Sequence, residues 1–270
     1  MKPIVKWAGG KIKQCSSIVK MMPSKYNRYI EPFIGGGAIF FSINRLNSII
    51  ADINPELINL YRVVSFNIDE LITDLRKHEN TKEYFYYLRG LDRLPEFNDL
   101  SDVERASRFL FLNKTCFNGL CRYNASGCFN SSYGYYSKVN IDFDNFRECS
   151  ELLRNTEIIC SDFSFLESTV KEGDFVYLDP PYVPISDTSY FTSYSSNGFS
   201  IDDQNRLKDL CDLVTEKGAY FILSNSYCDY TLNLYYNYNL FSIEAARSIN
   251  VDTSKRGNVT ELLVTNFIVK

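Results

Sequence analysis

Residues 175–182 of the chain read FVYLDPPY, an apolar run that ends in an acidic residue, two prolines and a tyrosine. The apolar run predicts a buried strand, Phe175–Leu178, and the prolines end it because they cannot continue the hydrogen bonds of a sheet. In open α/β sheets, ligands bind beside the carboxyl ends of the strands. Asp179 and Tyr182 are therefore predicted at a ligand-binding edge, although two prolines also end strands that carry no site.

Strand-like runs separated by helical stretches extend on both sides of this segment. The other predicted strands are Tyr29–Phe33, Ser48–Ile53, Glu157–Cys160, Ala219–Ser224, Asn239–Ala245 and Glu261–Phe267. We also predict helices at 54–65 and at about 201–216, and an apolar helix that reaches Leu46. Strands that alternate with helices indicate an α/β layered fold with a mostly parallel sheet.

The alternation is interrupted between Asp69 and Ser150. The pattern there is helical up to Lys114 and then rich in Asn, Gly, Ser and Tyr, and residues 124–127, NASG, predict the turn of a hairpin. We predict an insertion within a two-part catalytic α/β domain: residues 56–150 with a hairpin at about 116–138, inserted between residues 1–55 and 151–270.

Composition argues against a disordered chain and against a membrane-spanning one. A hydrophobic content of 45% is typical of an ordered chain, and the apolar runs are too short for a membrane span. The N-terminus lacks the apolar core of a signal peptide, so we expect an intracellular location, cytoplasmic or nucleoid-associated.

The net charge of −4 argues against binding to nucleic acid, yet residues 103–138 carry five basic residues and one acidic residue, which predicts a local basic face.

Eight cysteines and one histidine bear on metal binding. None of the cysteines forms a C-x-x-C pair, and a zinc site from Cys116, Cys121 and Cys128 fits no usual ligand spacing. We therefore expect no metal, and reduced, buried thiols.

Three further patterns suit a cofactor. Residues 31–37, EPFIGGG, place glycines after a strand, where the backbone can approach a ligand closely, but they lack the G-x-G-x-x-G spacing of nicotinamide enzymes. Asp52 in ADIN follows at the distance expected of a ribose-binding carboxylate, with Asn54 as a helix cap. Residues 6–11, KWAGGK, hold the single tryptophan. Each pattern alone also fits an ordinary turn, cap or core anchor.

Together and in this order, KWAGGK, EPFIGGG, ADIN, an insertion and DPPY resemble the Dam-type, or D12-class, DNA adenine methyltransferases over nearly the whole chain. The resemblance implies an α/β fold: a class I S-adenosylmethionine-dependent methyltransferase (Rossmann-like) sheet with an inserted helical and β-hairpin DNA-recognition domain. It implies methyl transfer from S-adenosylmethionine to adenine N6 in double-stranded DNA, with GATC as the target. The leading Asp of DPPY favours adenine, since cytosine-N4 enzymes usually have Ser there and glutamine-directed enzymes Asn.

The DPPY residues suit this chemistry. Adenine N6 is a weak nucleophile because its lone pair is delocalised into the ring. Asp179 and the Pro180 carbonyl offer two acceptors for its N–H groups, and Tyr182 offers a stacking surface for a flipped base. Direct transfer needs no catalytic cysteine, because alignment and electrostatics carry the rate enhancement.

The resemblance also assigns binding residues position by position. At the cofactor it places Trp7, Ala8, Gly9, Lys11, Phe33, Gly35, Asp52, Asp162 and Asp179. At the DNA it places Lys6, Asn118, Leu120, Arg122, Asn124, Ser132, Tyr136, Lys138 and Lys255.

In the predicted hairpin, Asn118 would fill the gap left by the flipped adenine, and Leu120 and Arg122 would face bases. The returning arm, residues 131–136, reads SSYGYY where relatives commonly have VPFGRY. A serine thus replaces a proline that packs beside a base, and Tyr135 replaces an arginine that holds phosphate. We expect looser readout of one inner base pair, and a weaker hold on phosphate unless Lys138, Arg247, Lys255 or Arg256 compensates.

Two alternatives remain open from the sequence. An RNA adenine methyltransferase would share the flipping and the N6 chemistry, although the hairpin favours duplex DNA. A catalytically silent DNA-binding module would not need the intact DPPY or Lys11. We expect no obligate protein partner.

Overall fold

The computed structural model describes residues 1–183, 199–246 and 258–269. The strands in these ranges are β1 (Tyr29–Glu31), β2 (Ser48–Asp52), β3 (Thr156–Cys160), β4 (Phe175–Leu178), β5 (Tyr220–Ser226), β6 (Asn239–Ala246) and β7 (Asn258–Thr265). The α-helices are α1 (Cys15–Met21), α2 (Ala38–Ile43), α3 (Pro55–Phe66), α4 (Ile68–Leu75), α5 (Lys82–Gly90), α6 (Asp102–Thr115), α7 (Phe143–Leu153), α8 (Leu166–Thr169), α9 (Ile201–Glu216) and α10 (Asp229–Leu234).

The strands form a seven-stranded sheet in the order β3-β2-β1-β4-β5-β7-β6. β2, β1, β4 and β5 pair in parallel, and β7 lies antiparallel between β5 and β6. All four residues of β4 are buried, as are the three of β1, as expected of inner strands in a parallel sheet. The predicted α/β class with a mostly parallel sheet is confirmed.

Local sequence signals explain where several elements begin. The Asn54 side chain accepts hydrogen bonds from the backbone N–H groups of Glu56 and Leu57, so the predicted cap of α3 is confirmed. Ser200 and Asp203 form a reciprocal capping box at the start of α9, whose bounds agree with the prediction.

Several element ends differ from the prediction, among them those of β7, which spans Asn258–Thr265 and not Glu261–Phe267. β1 ends at Glu31, two residues before the predicted end, so Phe33 lies beyond the strand. α2 ends at Ile43 and not at Leu46, because Asn44 adopts the left-handed conformation that terminates helices.

The chain divides into two compact units. The first unit contains residues 1–11, 34–47 and 52–160, and the second contains residues 12–33, 48–51 and 161–270. The predicted insertion, residues 56–150, therefore lies within the first unit. The hairpin is present there: Tyr123 bridges Phe129, and the Asn124 side chain caps the turn by accepting from the N–H groups of Ser126 and Cys128.

The predicted basic face between residues 103 and 138 needs a correction. Arg108 is buried and binds the Asp92 carboxylate, and Arg105 is paired with Glu56. The buried Arg108 charge requires such a partner, and both arginines are used in ion pairs within the first unit. The exposed basic side chains of this segment are Arg122 and Lys138.

All eight cysteines are free thiols, but burial was predicted correctly only for Cys116, Cys149 and Cys211. Cys160 is exposed, and the other four are partly buried. Among the described residues, no three His, Cys, Asp or Glu side chains gather as metal ligands would. The longest helix of the described ranges has 16 residues, so none reaches the roughly 20 apolar residues of a membrane span.

Candidate active site

The backbone after Asp179 is fixed by a buried polar network within the second unit. Gln204 on α9 donates to the Pro181 carbonyl at 3.2 Å, and the Asn225 side chain at the end of β5 accepts from the Val183 N–H at 3.2 Å. Asn225 also donates to Gln204 at 3.1 Å, and both amides are buried. Buried amides with satisfied hydrogen bonds hold a segment in one conformation, so the turn at the end of β4 is preorganised.

Tyr182 is oriented by a carboxylate far along the chain. Its hydroxyl donates to Glu261 Oε2 on β7 at 3.0 Å. Burial raises the pKa of the Tyr182 hydroxyl, and the nearby carboxylates of Asp179 and Glu261 raise it further. The hydroxyl therefore stays protonated at neutral pH and anchors one edge of the ring.

Phe33 belongs to an aromatic group with Phe163 and Phe199, with ring centroids 5.5 to 6.0 Å apart. Asp162 begins the turn at Phe163 by accepting from the Ser164 N–H at 3.0 Å, and Arg206 pairs with Asp162 at 2.7 Å.

The Arg206 guanidinium also lies 4.8 Å from the centroid of the Phe163 ring. The Ser164 N–H and Arg206 hold the pKa of the Asp162 carboxyl below its usual range despite partial burial, so this acceptor is ionised beside an apolar wall.

The first unit builds a second group, around Gly35. The Gly35 N–H donates to Asp52 Oδ2 at 3.1 Å, its carbonyl accepts from the buried Tyr61 hydroxyl at 2.7 Å, and its φ is +44°. A Cβ there would lie 2.6 Å from Trp7 Cδ1, so a side chain cannot fit between the turn and the indole. The glycine predicted from EPFIGGG is thus required by sterics.

Asp52 retains acceptor capacity for a ligand. Its Oδ1 accepts from the Asn54 N–H at 3.0 Å and its Oδ2 from Gly35, which leaves further lone pairs on a carboxylate. Burial raises the pKa of Asp52, while these backbone donors partly offset the increase.

The KWAGGK segment is anchored by an asparagine that the sequence did not single out. Asn113 on α6 accepts from the Lys6 N–H at 3.0 Å and donates to the Lys6 carbonyl at 2.7 Å. The Lys6 ammonium lies 5.5 Å from the centroid of the Tyr136 ring. Lys11 is buried and donates to the Gly9 carbonyl at 2.9 Å, while Ala8 and Gly9 are exposed.

Most hairpin residues predicted at DNA are accessible. The exposed positions are Asn118, Arg122, Asn124, Ser132 and Lys138, and the partly exposed ones are Leu120 and Tyr136. The Tyr136 hydroxyl accepts from the Asn118 N–H at 3.0 Å, which supports Asn118 at a positive φ of +58°. The Asn124 side-chain oxygen is used in the turn, so its amide N–H₂ is the group left for a ligand. Lys255, Arg247 and Arg256 lie outside the described residues.

Each group fits part of one cofactor. Asp52 offers a carboxylate to a diol, as ribose binding requires. The Phe33 and Phe163 rings offer an apolar wall for a purine, beside the Asp162 acceptor. Taken group by group, these residue types suit the ribose and the adenine of S-adenosylmethionine.

Sequence reasoning missed four positioning residues: Asn113, Gln204, Asn225 and Glu261. Their partners are 21 to 107 residues away along the chain. No local spacing marks such pairs, so a single sequence contains no signal for them.

Comparisons with known proteins agree with this chemistry. Residues 7–249 match the family described as D12 class N6 adenine-specific DNA methyltransferase. The chain is 43% identical to the Type II methyltransferase M1.LlaDCHI of Lactococcus lactis subsp. cremoris, covering 99% of this chain and 96% of that protein. It is 40% identical to the Type II methyltransferase M.MjaIII of Methanocaldococcus jannaschii, covering 99% of each. It is 35% identical to a DNA adenine methylase of Haemophilus influenzae, covering 97% and 92%.

Proposed function

The chain belongs to the D12 class N6 adenine-specific DNA methyltransferases, and on that premise we propose that it methylates adenine within GATC in duplex DNA after flipping the base out of the helix. The chain is an adenine-specific DNA methyltransferase with a class I fold. The flipping step, the target sequence and the residue roles below are the proposal.

The observation that carries the chemistry is the preorganised turn after β4. Asp179 and the Pro180 carbonyl are two acceptors, matched to the two N–H groups of the adenine amine. Because Gln204 and Asn225 fix the backbone just beyond them, these acceptors need little reorganisation when the base arrives. Tyr182, held by Glu261, would stack on the flipped ring.

The cofactor residues are proposed from the family resemblance and from the chemistry of each residue. S-adenosylmethionine supplies an electrophilic methyl group when bound. Asp52 would hold the ribose hydroxyls and Trp7 would pack beside them, while Phe33 and Asp162 would hold the adenine ring. Lys11 and Asp179 would complete the contacts by family resemblance. No step requires a metal or a covalent enzyme intermediate.

Target recognition is proposed for the hairpin. Arg122 is exposed and has a guanidinium suited to bidentate contact with guanine O6 and N7. Leu120 would contact a neighbouring base, and Asn118 would occupy the space of the flipped adenine. Lys6, Tyr136 and Lys138 would contact the DNA backbone or adjoining groups. A DNA substrate would require an intracellular location.

Sequencing of methylated adenines on DNA from a host that expresses the chain tests the proposal directly. We expect N6-methyladenine at GATC and none in a host that expresses Asp179→Ala. Methylation confined to an unrelated sequence would refute the target while leaving the chemistry intact. Duplex DNA would be refuted as the substrate if RNA were methylated in preference to it in a competition assay.

A further inference from the structure

Two isolated β-bridges join the arms of the hairpin, and the two arms have different numbers of residues between these bridges. Cys116 bridges Tyr133, and Tyr123 bridges Phe129. Between these pairs, the outgoing arm has six residues, 117–122, and the returning arm has three, 130–132. The outgoing arm therefore bulges, and part of its backbone cannot pair in a regular ladder. The bulge carries Asn118, Leu120 and Arg122.

The returning arm is anchored to the helical part of the same unit. The Arg93 guanidinium donates to the Phe129 carbonyl at 2.8 Å, and Asp92 accepts from the Phe129 N–H at 2.7 Å. Arg89 on α5 donates to the Ser131 carbonyl at 3.2 Å. Because these contacts come from outside the hairpin, they fix the returning arm independently of the bulge.

The Ser131 side chain connects this fixed arm to the bulge. Its hydroxyl donates to the Leu120 carbonyl and accepts from the Arg122 N–H at 3.0 Å. Ser131 is buried, with 6% of its surface exposed. A hydroxyl has one donor and two acceptor sites, so a single side chain satisfies a carbonyl and an N–H that the bulge removes from the ladder.

We propose that the Ser131 hydroxyl is a specificity-determining positioning element, which holds the backbone at Leu120 and Arg122 so that their side chains meet the bases. The proposal rests on the proposed function of the hairpin in reading DNA. Ser131 itself touches no base in this role and acts through Arg122. A side chain without a hydroxyl, such as alanine or valine, can make neither hydrogen bond at this position.

The test compares Ser131→Ala with Ser126→Ala, a serine at the exposed turn of the same hairpin whose hydroxyl is outside the proposed machinery. The target site is first defined with the wild type. Discrimination is then the ratio of kcat/KM on the target duplex to kcat/KM on a duplex altered at the guanine-containing base pair that Arg122 is proposed to contact. Loss of hydrogen bonds of ordinary strength predicts a fall of about 3- to 10-fold for Ser131→Ala. Ser126→Ala should keep the wild-type ratio.

A double-mutant cycle separates positioning from a general loosening of the hairpin. If Ser131 acts through Arg122, Ser131→Ala should change discrimination little in an Arg122→Ala background. Ser131→Thr, which restores the hydroxyl, should recover the wild-type ratio. Titration with S-adenosylmethionine and thermal unfolding identify the variants that are folded.

Two results would overturn the inference. One is unchanged discrimination in a folded Ser131→Ala protein, and the other is an equal, additive loss in the Arg122→Ala background. A wild type without any sequence preference would instead refute the proposed function, and that result is obtained before any variant is made.

Discussion

The contact between Tyr182 and Glu261 leads to a quantitative prediction for two substitutions at one position. In the proposed mechanism the Tyr182 ring stacks on the flipped adenine, and its hydroxyl donates to Glu261 Oε2 at 3.0 Å. Tyr182→Ala removes the stacking surface, which is worth about 1–3 kcal/mol. At about 1.4 kcal/mol per factor of ten, kcat/KM should fall about 5- to 150-fold.

Tyr182→Phe keeps the ring and removes only the hydroxyl. A hydrogen bond to a charged acceptor contributes about 1.5–3 kcal/mol, and the carboxylate loses this donor while remaining partly buried. We therefore expect the cost to appear mainly in the free energy of unfolding, with kcat/KM within about tenfold of the wild type. Glu261→Gln keeps an oxygen that accepts from Tyr182, so it is the matched control and should resemble the wild type more closely than Tyr182→Phe.

The assays are steady-state methylation of a defined duplex and the fluorescence of 2-aminopurine at the target adenine, which reports unstacking. Tyr182→Phe should show a normal fluorescence change, and Tyr182→Ala an altered one, because only the latter lacks a ring beside the flipped base. If folded Tyr182→Phe loses as much activity as Tyr182→Ala, the hydroxyl takes part in the reaction and stacking is not the main role of this residue.

Three further predictions concern the other residues of the site. Asp179→Ala should lower kcat by about 100-fold or more with the fold retained, as single-turnover rates and circular dichroism will show, and near-normal turnover would refute the acceptor role. Because burial raises the pKa of Asp52, affinity for S-adenosylmethionine should begin to fall on acidification at a higher pH than an ordinary aspartate would give. Calorimetry should find this step absent in Asp52→Asn, and an unchanged step would assign it to another group. Arg122→Ala should cost about 1–3 kcal/mol of binding free energy and relax discrimination at one base pair. Lys138→Ala should instead lower the affinity for every sequence to a similar degree, and reduce the slope of log affinity against log salt concentration by about one. A uniform loss for Arg122→Ala would make that arginine a phosphate contact.

Local sequence was sufficient for the elements that carry the site. FVYLDPPY predicted the buried strand and its end at Leu178, because two prolines cannot continue the hydrogen bonds of a sheet. Asn54 predicted the start of α3 through its side-chain oxygen, and NASG predicted the turn of the hairpin. Each of these signals acts within about four residues, so it is present in a single sequence.

Element ends and surface charge were less predictable. α2 ends at Ile43 because Asn44 adopts the left-handed conformation, which the apolar-rich stretch up to Leu46 does not indicate. The prediction of a basic face over residues 103–138 was also wrong for Arg108, which is buried and paired with Asp92. Charge counted along a chain does not distinguish an exposed arginine from one that binds a buried carboxylate.

The sequence by itself determined the chemical groups and the strand ends on which they lie: a carboxylate and a carbonyl after β4, a glycine turn after β1, and a carboxylate at the end of β2. Only the tertiary structure decided which residues position these groups. Glu261 accepts a hydrogen bond from the Tyr182 hydroxyl, Asn113 accepts one from the Lys6 N–H, and Ser131 accepts one from the Arg122 N–H in the bulge. The physical reason is the distance along the chain over which each effect acts. Strand ends and caps depend on neighbouring residues, whereas a positioning hydrogen bond depends on which distant segments the packed core brings within about 3 Å.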